Sequence, residues 1–300
     1  MNSTPTIAPP DSTTRPFGTH IRMEWWKSVI VIAAIPLTLL LLQIVLYQLA
    51  SSIEGSDPSE PTLTPLKLLA ANLSTGLTAL LAVVLVSRFG KVPWRTIFSS
   101  PRHFDKRRLA LYFGGSVVLV GAGLAVGATV APDAMNWVGF GFTGTTMALL
   151  VVVVVSTPIQ SAGEEIMFRG AMLPAAASWF RAVRLAFLTG LVVSSLAFAL
   201  THAAGDPWLN GYYLFLSACT ALLGLVSRGL EAAMAFHVAN NLVATTINAL
   251  MAGGDAIVVD RTEGAGGGPA LIILAVVNLA VLTFVWLRER SRRTGPERGV

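Results

Sequence analysis

Eight stretches of this chain are apolar for long enough to cross a lipid bilayer, and no segment between them is long enough to fold alone. They cover roughly 26–50, 65–87, 109–131, 145–174, 184–202, 209–227, 230–251 and 270–287. A hydrocarbon core about 30 Å thick takes about 20 helical residues to span. Inside it no water satisfies backbone polar groups, so each crossing must be a helix or a strand of a closed barrel. Runs this long and this uniformly apolar read as helices. The expected fold is therefore all-α: a polytopic membrane helix bundle with about eight transmembrane helices. Composition agrees. Of 300 residues 54% are hydrophobic and 12% charged, against about 25% charged in soluble domains.

The boundaries follow from the same pattern. Residues 1–22 are polar and rich in Pro and Thr, and read as a disordered N-terminal tail. Residues 23–290 form one membrane-embedded domain, with its motif core at 145–251, and 291–300 a basic cytoplasmic tail. The first apolar run begins at Trp25; it is too long for a signal-peptide core, and no small-residue cleavage site follows it. The single Cys219 lies in an apolar run, which speaks against a disulfide or a thiolate metal site. The Gly-rich run 264–268 follows no strand and lacks a Gly-Lys-Ser/Thr ending, so it reads as a connector. Segment 88–108, with Trp94, Ile97 and Phe98 among basic residues, fits an interfacial helix or a solvated loop equally well.

Basic residues set the expected orientation. With a cytoplasmic N-terminus, eighteen of the 21 Lys and Arg fall on the inside, and only Lys67 and Arg261 fall outside. That asymmetry favours eight crossings with both termini in the cytoplasm of a cell membrane. It also accounts for the net charge of +5 without invoking nucleic acid. The excess of Arg (17) over Lys (4) points to a GC-rich bacterial source.

Against this apolar background, three groups of polar residues stand out: Glu164-Glu165-x-x-x-Arg169, Phe198-x-x-x-His202 and His237-x-x-x-Asn241. Ionisable side chains within a membrane cost roughly 2.5–3.5 kcal/mol each on insertion scales and mark functional sites by default. Glu165 and Arg169, four apart with the acid first, share a helical face in the order that favours an ion pair. This pair reads as mainly architectural. Glu164 lies about 100° further round the helix; with no local cation, it is free to serve as a base. Taken singly, a membrane histidine is more often a packing residue, and an asparagine beside Asn240 an interhelical hydrogen-bonding device. Glu231 and Arg228, at a span end, read as snorkelling or capping residues, and His20 and His103 lie in polar segments.

In order and spacing, the three groups resemble the type II CAAX prenyl endopeptidases and their bacterial relatives, the CPBP (CAAX protease and bacteriocin-processing) intramembrane proteases. Glu164 to Gly170 reads EEIMFRG, close to that family's EExxFRG. The resemblance covers roughly 145–250. It implies an endopeptidase with Glu164 as general base, helped by His202, activating water. His237 and Asn241 would stabilise the oxyanion, and Glu165 and Arg169 would hold the helix. The family is often labelled metalloprotease, and Glu164, His202 and His237 could ligate Zn²⁺ and leave a water position. Yet no His-Glu-x-x-His is present, and asparagine is a better oxyanion donor than zinc ligand, so no cofactor is favoured. The expected partners are the bilayer and a protein or peptide substrate. Two other readings use the same residues: a non-enzymatic immunity or partner protein on this fold, and a proton-coupled transporter. Loss of a motif position would favour the first, and an internal repeat the second; neither is seen.

The orientation is testable with reporter fusions. Fusions after residues 60, 138 and 260 should report outside, and fusions after 100, 182 and 295 inside. A robust reversal at one of them would force a recount of the spans.

Overall fold

The computed structural model describes residues 15–265 and 267–294. Eight long helices make the bundle: α1 Trp25–Glu54, α2 Pro65–Gly90, α4 Lys106–Val130, α5 Gly144–Glu165, α7 Val183–Thr201, α8 Pro207–Ser227, α9 Glu231–Leu250 and α10 Leu271–Thr294. Two short helices, α3 Arg95–Phe98 and α6 Leu173–Ala177, sit between them. Among the described residues, seven helices are long and apolar enough to cross a membrane; α9 falls short of that mark. It carries His237, Asn240 and Asn241 within 20 residues, and those polar groups are what lower its hydropathy.

The starts of the helices are written in the sequence. Thr64 caps α2 ahead of Pro65, accepting from the Lys67 amide. Asp206 caps α8 ahead of Pro207, accepting from the Leu209 amide. Thr143 and Thr146 satisfy one another across the first turn of α5. Each arrangement pairs amides that the first helical turn otherwise leaves unbonded.

The helices close into a ring, in the order α1, α2, α5, α9, α4, α10, α8, α7 and α6, with α6 back against α1. At one end the connections are stitched together. Strands β1 Thr62–Leu63 and β2 Ile257–Val258 pair antiparallel, and the Arg261 carbonyl accepts from the amides of Gly205 and Asp206. The other end is held by charge. The Glu231 carboxylate is fully buried and takes both outer nitrogens of Arg102, so it is not a snorkelling residue. Glu289 takes Arg108 Nη1 at 2.9 and 3.1 Å and the Tyr112 hydroxyl.

In the fourth span, the chain runs helically from Gly144 to Ala177, 34 residues. This span holds Pro158 and Pro174, yet its irregular stretch is centred on neither. It is a π-helical segment, Ile166–Met172, which starts directly after Glu165. This segment is buried from Met167 to Met172. It touches α1, α2, α3, α5, α6, α7 and α8, so it forms the axis of the bundle. Gly170 allows one close approach, since a Cβ there would lie 2.9 Å from Ile97 Cγ2. Ile97 is itself fully buried, so segment 88–108 is packed under the bundle around α3, and neither a solvated loop nor an interfacial helix describes it there.

Residues 1–14 of the expected tail lie outside the described residues, as do 295–300. Residues 15–22, assigned to the tail from their polarity, are packed: Phe17, Thr19, His20 and Ile21 are buried. His20 accepts from the Gly18 amide and donates through Nε2 to the Thr96 carbonyl. Burial pushes its imidazole down to about 4, so it is neutral at ordinary pH. Arg22 donates to the carbonyls of Ser178 and Phe180. Isolated polar letters conceal this docking, because its partners are backbone carbonyls far along the chain. At the other terminus α10 continues to Thr294, four residues into the expected tail.

The basic end yields a stability prediction. Arg102→Ala leaves the buried Glu231 carboxylate without its cation and should cost about 3–5 kcal/mol in unfolding experiments in detergent. Glu231→Gln, which keeps shape and an acceptor, should cost clearly less. Equal costs would mean that charge pairing does not hold this junction.

Candidate active site

The first motif lies where α5 passes into the π segment. Glu165 is fully buried, Arg169 is 1% exposed, Glu164 8% and His237, from α9, 2%. Glu165 Oε1 lies 3.3 Å from Arg169 Nη1. The same oxygen accepts from His237 Nδ1 at 2.6 Å. On the other side of the ring, His237 Nε2 lies 3.3 Å from Glu164 Oε2. One imidazole therefore stands between the two carboxylates of the Glu-Glu pair. Sequence reasoning left Glu164 without a cation nearby and gave Glu165 only an architectural partner. The fold gives both of them His237.

The charges in this cluster define its chemistry. Two carboxylates and one guanidinium sum to one negative charge in an apolar interior, where an unbalanced charge is costly. One proton, on His237 Nε2 or on Glu164, makes the group neutral. Glu165, accepting at Nδ1, fixes the orientation of the ring. Glu164 Oε2 has no hydrogen-bond partner among the described residues. It is an acceptor held beside a proton site with capacity to spare.

Arg169 is not held by aligned hydrogen bonds, for none of its guanidinium nitrogens has a hydrogen-bond partner among the described residues. Instead the group lies over the Phe198 ring at 4.7 Å and the Phe168 ring at 5.9 Å. A desolvated cation over an aromatic face gains about 2 kcal/mol. Phe198 is also the hub of a cluster of rings. Its centroid is 4.5 Å from that of His202 and 6.0 Å from that of His237. The phenylalanine of the second motif thus supports the arginine of the first and separates the two histidines.

His202 caps α7. Its Nδ1 donates to the Phe198 carbonyl at 2.7 Å, which leaves Nε2 as the nitrogen with a lone pair. Tyr213 stacks on its ring at 4.1 Å, and Arg261 donates to its carbonyl at 2.7 Å. The next residue, Ala203, takes a left-handed φ of +47°, a strained conformation for a residue with a side chain. No hydrogen bond joins His202 to Glu164 among the described residues. Asn241 donates through Nδ2 to Gln160 Oε1 at 3.2 Å and Ser161 Oγ at 3.0 Å, and accepts from Asn240 at 3.0 Å.

Five neighbours escaped the sequence reading: Gln160, Ser161, Asn240, Tyr213 and Arg261. For the first two a signal was present. Ser156, Gln160 and Glu164 recur every four residues, as do Thr157, Ser161 and Glu165, so two polar rows run down an otherwise apolar helix. Arg261 had no such signal, being one arginine in a loop about 60 positions away.

The donor types suit zinc: two imidazoles and a carboxylate, with a second carboxylate orienting one imidazole from behind. Among the described residues, no three His, Cys, Asp or Glu side chains are grouped as placed to hold an ion.

Residues 142–243 match a family model described as Type II CAAX prenyl endopeptidase Rce1-like. That segment, about a third of the chain, contains all three motifs. No curated protein and no solved structure matches. The match supports the resemblance read from the motifs. With the apolar helices it supports a multi-pass membrane protein of the CAAX-protease-like kind.

The cluster predicts strong coupling. Arg169→Met and Glu165→Gln should each lower stability, Arg169→Met by about 3–5 kcal/mol because it strands a buried carboxylate. The double variant should cost much less than the sum. Additive costs in a double-mutant cycle would remove the ion pair from the description.

Proposed function

We propose that this protein is an intramembrane endopeptidase that hydrolyses peptide bonds of membrane-associated proteins or peptides with a water activated by Glu164. The observation that carries the proposal is the His237 imidazole between two buried carboxylates, inside the segment that matches the family. Glu164 takes a proton from water as the water oxygen attacks the peptide carbonyl carbon. The carbonyl oxygen, now an oxyanion, is held by His237 Nε2–H and Asn241 Nδ2–H. Glu164 then returns the proton to the departing nitrogen, and the C–N bond breaks. Glu165 contributes by holding the His237 ring through Nδ1, which keeps Nε2 turned towards Glu164. Oxyanion donors are worth about 3–4 kcal/mol in the transition state. Asn241 must exchange Gln160 or Ser161 for the oxyanion, which spares its donor from standing unpaired between turnovers. His202 assists through the Nε2 lone pair that its bond to Phe198 leaves available. Arg169 positions Glu165 and does not touch substrate.

The mechanism needs no metal, and that is part of the proposal. Comparative membrane proteomics of cells with wild-type or Glu164→Ala protein would supply a substrate, and purified protein would then be assayed on it. Glu164→Ala and His202→Ala should abolish cleavage at near-normal protein levels. His237→Ala and Asn241→Ala should lower kcat with little effect on KM, because an oxyanion donor acts in the transition state. Chelator-treated enzyme should keep its turnover. Unchanged cleavage by Glu164→Ala protein would sink the assignment of Glu164 as the base. Stoichiometric zinc, lost in both histidine variants and kept in Asn241→Ala, would sink the metal-free mechanism alone.

A further inference from the structure

At the charged end of the bundle, apart from the Glu164 cluster, lies a cleft of about 600 Å³. The N-terminal segment, the α3–α4 connection, the α8–α9 turn and the end of α10 enclose it. Three arginines line it, Arg15, Arg228 and Arg290, with one carboxylate, Glu289. That carboxylate is engaged by Arg108 and the Tyr112 hydroxyl, so the lining carries an excess of positive charge. Arg15 Nη2 donates to the Arg181 carbonyl at 2.8 Å. Its Nη1 is buried with no hydrogen-bond partner among the described residues. A buried donor left without an acceptor carries a desolvation cost that an added oxygen removes. The remaining wall is apolar and includes Phe17 and Trp286.

Basic residues at a membrane boundary ordinarily spread over a convex surface. Here three converge on a concavity of ligand size, beside apolar walls. Trp286 and Leu287 of α10 are about half exposed and carry that apolar character out onto the flank of the bundle. Guanidinium forks match phosphate oxygens in pairs, and basic pockets between membrane helices suit lipid headgroups. We propose that the cleft binds the phosphate of an anionic phospholipid. Its oxygens would lie among Arg15, Arg228 and Arg290, and its glycerol and first acyl carbons against Phe17 and Trp286.

The test uses the full chain in phosphatidylcholine nanodiscs, with and without phosphatidylglycerol. Native mass spectrometry reads the lipids retained, and thermal unfolding reads the midpoint. Phosphatidylglycerol should be retained in preference to phosphatidylcholine and should raise the midpoint. Arg228→Gln with Arg290→Gln should reduce the preference roughly five-fold per arginine and leave the midpoint in pure phosphatidylcholine unchanged. Arg107→Gln with Arg292→Gln, exposed arginines at the same end but outside the cleft, should keep the preference. Equal retention of the two lipids would overturn the proposal. So would equal losses in the two double variants, which would make the effect one of general surface charge. If inorganic phosphate alone matched the shift in midpoint, a soluble phosphate and not a lipid would be the ligand.

Discussion

Unbalanced charge is costly in an apolar interior, and this bundle is arranged round four ionisable side chains that lie against one another. Glu164, Glu165, Arg169 and His237 are each less than a tenth exposed. Removing Glu165 or Arg169 strands the other. The helices that carry the four are therefore fixed relative to one another by charge as much as by shape. Glu165 and Arg169 meet where α5 passes into the buried π segment. Phe198 then covers the guanidinium face that the carboxylate leaves open. α9, too polar to qualify as a span by itself, sits between α5, α4 and α8, where its histidine and asparagines find partners.

The two ends of the bundle are built differently. One is tied by backbone pairing between loops, and by the Arg261 side chain donating to the His202 carbonyl. The other is tied by side-chain ion pairs at Glu231 and Glu289. Ion pairs that are partly buried respond little to salt, so this end should stay closed over a wide range of ionic strength. The turn that carries His202 rests instead on a few loop hydrogen bonds and a strained alanine, and such segments open more easily than packed helices.

Much of this was legible in the sequence, and the failures have physical causes. The helices were legible because backbone solvation in lipid leaves few alternatives. The ion pair at Glu165 was legible because a four-residue spacing is a local property. The π segment was not. Prolines do not mark it, for Pro158 sits within α5 and Pro174 opens α6. The added residue per turn is imposed by packing against seven neighbouring elements, and no local propensity records that. His237 as the link between both glutamates depends on how α9 meets α5, 72 positions apart. Glu231 looked like a surface residue because its partner, Arg102, lies 129 positions away. Polarity alone misassigned residues 15–22, since polar chains also fold where carbonyls await them.

That N-terminal segment has a consequence in time. Arg22 and Met23 are synthesised well before their partners, yet they bond to Ser178 and Phe180, more than 150 residues later. They cannot reach their places until the fourth long helix has been made and threaded. Until then Phe17 and Ile21 have no interior to enter. This segment is thus seated only after helices made later than itself are in place.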